Sequence, residues 1–83
     1  MGKWKFEQKT ESGRWRTYIW DSKHHNVSER DFLGCDHDTG NIARDPWTAK
    51  ELARRHTERE TGERVTEVWV YDESGNLHHK EKR

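Results

Sequence analysis

Residues 3–11 and 14–21 alternate between apolar or aromatic side chains and polar ones, with Ser12-Gly13 between the two runs. Period-two alternation on both sides of a Ser-Gly pair predicts two antiparallel strands joined as a hairpin. With those two residues as the loop, Glu11 faces Arg14, Phe6 faces Ile19 and Trp4 lies near Asp21. Facing residues point the same way, so Trp4, Phe6, Trp15 and Ile19 are expected on the core side. The opposite side then carries Tyr18 and Trp20 together with Lys5, Glu7, Lys9 and Arg16.

The period changes after Pro46. Thr48-Ala-Lys-Glu51 reads as a capping box, with Trp47 and Leu52 placed as a hydrophobic staple and Pro46 as the stop before the helix. Ala49, Leu52, Ala53 and His56 follow the i, i+3, i+4, i+7 rule and form one narrow apolar stripe. Gly62 suits a C-terminal cap, so the predicted helix covers 48–61. A third strand is predicted over 64–71, with Val68 and Val70 toward the helix and Val65, Glu67, Trp69 and Tyr71 away from it. Asp72 to Asn76 reads as a turn in which Gly75 takes the left-handed position of a three-residue loop. The last strand, 76–81, has Leu77 as its one aliphatic residue and a charged end that suits an exposed edge.

Residues 22–46 show little periodicity and are expected to form an irregular insert, with room for a short extra hairpin or helical turn around Asp38-Thr-Gly40-Asn41. The expected fold is α+β: one domain over 1–83, a small antiparallel sheet in the order β-β-insert-α-β-β, and one helix on one face. Its core would draw on Phe6, Ile19, Val68 and Val70.

The C-terminal half, from Thr48-Ala-Lys-Glu-Leu-Ala-Arg-Arg through Val68-Trp-Val-Tyr-Asp-Glu-Ser-Gly-Asn-Leu, resembles a family of short bacterial β-β-α-β-β domains without assigned activity. The resemblance implies the fold and carries no function. Small size and high polarity suit a bacterial or phage accessory protein.

Composition narrows the function classes. The 83 residues are 28% hydrophobic and 39% charged, yet they include five tryptophans. Sixteen Lys and Arg balance 16 Asp and Glu, which argues against a duplex nucleic-acid binder with a basic footprint. Cys35 stands alone, no apolar run resembles a signal peptide or a membrane span, and Phe6 departs from a myristoylation motif; a cytoplasmic protein is expected.

The densest set of metal-ligating side chains is His24, His25, Cys35 and His37, but no Cys-x2–4-Cys knuckle accompanies it, so no metal is expected. Asp36-x-Asp38-x-Gly40 starts like a calcium loop and then offers Gly40, Asn41 and Trp47 where an oxygen ligand, Gly and Glu are required. No nucleophile elbow, phosphate-binding glycine loop or convergent carboxylate pair appears, so neither an enzyme, a cofactor nor a small-molecule substrate is expected.

What remains is an aromatic stripe. Tyr18, Trp20, Trp69 and Tyr71 are expected to point away from the helix, among Lys5, Lys9 and Arg16. One reading has the insert fold over these residues, through Phe32, Leu33 and Ile42, to bury them as a second small core. A second makes them a docking face for a protein partner or a second copy of the chain, since Trp, Tyr and Arg dominate binding hot spots. A third makes them a single-stranded nucleic-acid platform, with bases stacked on the rings and Lys and Arg along the backbone. The expected function is the second, a non-enzymatic interaction module; single-stranded nucleic-acid binding is the alternative.

Overall fold

The computed structural model describes residues 2–83. The described residues form six strands and one helix: β1 (Lys3–Thr10), β2 (Trp15–Asp21), β3 (Asn26–Arg30), β4 (Asp36–Ile42), α1 (Pro46–Thr61), β5 (Val65–Tyr71) and β6 (Leu77–Lys82). All strands belong to one antiparallel sheet in the order β4-β3-β2-β1-β5-β6, and α1 packs on one face of it. The expected α+β class and its single helix hold. The insert forms the extra hairpin allowed for, β3 and β4, which continues the sheet beyond β2, but its turn lies at Asp31–Cys35, and Asp38–Asn41 belong to β4.

The β1–β2 register differs from the expected one by one residue. Phe6 pairs with Tyr18, Trp4 with Trp20 and Lys9 with Trp15. The cause lies in the loop. Gly13 adopts φ 85°, its N–H donates to the Thr10 carbonyl at 2.9 Å, and the Thr10 N–H donates to the Arg14 carbonyl at 3.0 Å. That is a turn followed by a left-handed glycine, a three-residue loop instead of a two-residue one. The extra residue moves every side chain of β2 to the face opposite the expected one. Tyr18, Trp20 and Arg16 therefore lie on the helix side, and Trp15, Thr17 and Ile19 on the open side. Gly34 and Gly75 close the β3–β4 and β5–β6 hairpins with the same bonding pattern.

Phe6, Tyr18, Trp20, Val27, Ala43, Ala49, Ala53, Val65, Val68 and Val70 form the core between sheet and helix. Val65 joins it because the β1–β5 ladder shifts between Lys9 and Thr10, so that Val65 pairs with Thr10 and turns inward instead of outward. Ile19 is buried as well, but on the open face and outside this cluster. Polar groups in the core find partners: Trp20 Nε1 donates to the Ala43 carbonyl at 2.8 Å, and Thr57 Oγ1 lies 2.9 Å from Gln8 Oε1 and 3.0 Å from the Tyr18 hydroxyl. The same hydroxyl lies 2.8 Å from His56 Nδ1, so the sequence-predicted helix stripe ends in a hydrogen bond, not an apolar contact.

The helix begins two residues earlier than expected. Asp45 is its N-cap, accepting from the Thr48 backbone N–H at 2.8 Å and from the Thr48 hydroxyl at 2.9 Å, with Pro46 in the first turn. Pro is well suited there, because its missing N–H would have no helical partner. Thr48 is thus held by the cap and does not provide it, and Glu51 pairs with Arg54 and Arg83 at 2.9 and 2.5 Å. Gly62 closes the helix at φ 71°, as expected.

Candidate docking face

The face opposite α1 is built by strand parity. On β1 it takes Lys3, Lys5, Glu7 and Lys9; on β2, Trp15, Thr17, Ile19 and Asp21; on β5, Glu67, Trp69 and Tyr71. Trp15 and Trp69 meet edge to face with ring centroids 5.6 Å apart at 80°. Each ring of this face also meets a lysine. Lys5 Nζ stands 4.5 Å from the Tyr71 ring centre, Lys80 Nζ 4.6 Å from that of Trp69, and Lys9 Nζ 6.0 Å from that of Trp15. Ammonium groups at such distances are attracted by the negative ring faces. Glu67 accepts a hydrogen bond from Trp69 Nε1, and Glu7 lies 3.8 Å from Lys5. Partial burial and then the neighbouring Glu7 carboxylate raise the Tyr71 hydroxyl pKa above its ordinary value.

Beyond β2 the same face becomes acidic. Lys3, Ile19, Asp21, Asn26, Ser28, Asp36 and Asp38 line a recess of about 300 Å³. A hydrogen bond from His24, reinforced by the Lys23 backbone N–H, holds Asp21 at about 2. Asp36 is held below the carboxylate range chiefly by its hydrogen bond from Arg30, at 2.8 Å.

Of the residues expected at the site, Lys5, Lys9, Trp69 and Tyr71 come together on this face. Tyr18, Trp20 and Arg16 do not: Trp20 is 3% exposed in the core, Tyr18 is fully buried, and Arg16 pairs with Glu29 at 2.6 Å on the helix side. Trp15, 47% exposed, and Lys80 take their place. The insert residues Phe32 and Leu33 project from the β3–β4 turn, 96% and 75% exposed, and cover no aromatic stripe. No family model matches the chain, and neither a curated protein nor a solved structure is similar to it.

The metal candidates are dispersed. His24 pairs with Asp21 at 2.9 Å beside His25 in the β2–β3 turn, while His37 pairs with Asp31 at 2.7 Å near exposed Cys35 at the other end of β3. Among the described residues no three His, Cys, Asp or Glu side chains are grouped to hold a metal ion. No helix of the described residues is long and apolar enough to cross a membrane.

A second aromatic group lies on the helix side, where Trp4 meets Trp47 at 6.2 Å and His78 at 5.4 Å, and Trp47 meets His79 at 5.5 Å. Its members come from β1, the start of α1 and β6, so no sequence period links them.

Proposed function

We propose that this chain is a non-enzymatic interaction module that docks a protein partner through the open sheet face. The observation that carries the reading is the Trp15–Trp69–Tyr71 group with its three lysines, on the face that neither the helix nor the insert covers. Aromatic side chains offer large contact area with few rotatable bonds, and a charged rim around them is the usual anatomy of a protein contact. A single-stranded nucleic-acid platform is favoured by Lys5, Lys9 and Lys80 beside the same rings. It is opposed by Glu7 and Glu67 within the stripe and by the three aspartates beside it.

Retention of proteins from a lysate of the source cell, by the wild-type chain and by a Trp15→Ala/Trp69→Ala variant, tests the reading. A protein held by the wild type and lost by the folded variant is the expected result. Titration with single-stranded oligonucleotides, followed by tryptophan fluorescence, supplies the contrary outcome. Saturable quenching that fades steeply as salt rises would replace docking with phosphate-driven binding.

A further inference from the structure

We propose that the partner of the open face is a second copy of this chain, stacked face to face about a two-fold axis parallel to the strands. The inference rests on the reading of that face as a protein docking surface. It is carried by the way charge is distributed across the sheet. On the β1-β5-β6 half, Lys5, Lys9, Lys80 and Lys82 stand against Glu7 and Glu67. On the β2-β3-β4 half, Asp21, Asp36 and Asp38 outnumber Arg30, with Lys3 at the border.

A two-fold axis running along the strands between β1 and β2 divides the sheet into these halves. Rotation about it lays the basic half of each copy on the acidic half of the other, and residues keep their position along the strand. The ladder pairings then name the contacts. Lys80, Trp69, Glu7, Thr17, Arg30 and Asp36 form one row across all six strands. Folding this row onto itself sets Lys80 over the partner copy's Asp36 and Trp69 under its Arg30. Opposite charges meet in the first contact, and a guanidinium meets an indole face in the second. Of the other rows, Lys9 falls over Trp15 and Lys3 over Asp21, while Lys5 falls over Ile19 and adds no charge pair. Aligned sheets pack with a rotation of about 30°, which displaces the outer strands most. Asp36 and Asp38 on successive outward positions of β4 keep a carboxylate within reach of the long Lys80 side chain.

The area suffices. Six strands spaced about 4.8 Å apart and roughly seven residues long give a face of about 24 by 23 Å. Two such faces bury on the order of 1,100 Å² together, above the roughly 1,000 Å² that a specific interface needs. An isologous contact also requires one self-complementary patch and no other partner.

Analytical ultracentrifugation over a range of protein concentrations tests the proposal with charge reversals on exposed residues. The wild-type chain should show a concentration-dependent monomer–dimer equilibrium. Lys80→Glu and Asp36→Lys should each weaken it roughly ten-fold or more, because each places like charges together at both ends of the interface. An equimolar mixture of the two variants should regain the dimer, since every reversed charge then meets its opposite. Trp69→Ala, which changes no charge, should weaken the dimer without such rescue, and circular dichroism would show all three variants folded. A wild-type chain that stays monomeric, or a mixture that does not recover, overturns the second copy as partner. Should monomeric wild type still hold a lysate protein that the Trp15→Ala/Trp69→Ala variant loses, the docking face stands with a different partner. A dimer indifferent to all these changes forms through another surface and overturns the second copy as the partner of this face, and loss of no lysate protein by the Trp15→Ala/Trp69→Ala variant overturns the docking face itself.

Discussion

At φ 85°, Gly13 holds the left-handed conformation that lets a three-residue loop close the β1–β2 hairpin, and the register of the hairpin follows from it. A side chain there meets no atom within 4 Å, so the cost of substitution is backbone strain alone. Gly13→Ala should cost about 1–2 kcal/mol in chemical denaturation, and Gly13→Asn less. The same glycine sorts the tryptophans. Trp20→Ala should destabilise by about 3–5 kcal/mol, the range for an aromatic removed from a core. Trp15→Ala gives up its edge contact with Trp69 and the more distant Lys9 ammonium and should cost no more than about 1.5 kcal/mol. Equal losses for the two would contradict the register. The sequence contained the means to place these residues: Gly13 follows the strand end as Gly75 does, and reading it as the third residue of its loop puts Trp15 outward and Trp20 inward. The Ser-Gly pair instead looks like a two-residue loop, and that single residue changes the face of Tyr18, Trp20 and Arg16 together.

Elements with strong periodicity were legible, and those without it were not. β1 and β5 alternate because one side meets the helix, whereas β2 buries Tyr18, Ile19 and Trp20 in succession and leaves its face ambiguous; α1 announces itself through Ala49, Ala53 and Gly62. β4 carries Asp-His-Asp-Thr-Gly-Asn-Ile at the sheet edge and is almost wholly exposed, so its backbone pairing leaves no mark on side-chain polarity. The helix start was displaced because Asp45 and Thr48 are both good capping residues, and the pair bonds to itself. Asp45→Ala should cost about 1 kcal/mol, more than Thr48→Ala, by thermal melting.

Glu51 pairs with Arg54 within α1 and with Arg83, which follows β6, and so ties the helix to the end of that strand. Burial pushes its carboxyl pKa up, but those two guanidinium groups outweigh burial and hold it at about 2, against an ordinary 4.5. A carboxyl depressed in the folded state stabilises above its unfolded pKa, and that stabilisation is lost as pH falls toward the folded value. Melting temperature should therefore decline between about pH 4.5 and 2, and Glu51→Gln should flatten this part of the profile. An unchanged profile in the variant would remove Glu51 from the acid response.

At the scale of the whole molecule, the six-stranded sheet is finished on one side by α1 and left bare on the other, with the insert widening the sheet instead of covering it. Antiparallel sheets often leave one face to water. This one carries an aromatic group between halves of opposite charge, and that pattern is the basis of the proposed docking of a second copy. The five indole N–H groups report on this most directly, because each gives its own NMR signal and each tryptophan sits in a different place. Their signals should be followed as the protein is concentrated from micromolar to millimolar. Trp15 and Trp69 should shift along saturable curves while buried Trp20 stays fixed. Movement confined to Trp4 and Trp47, or no movement at all, would contradict docking of a second copy through the open face.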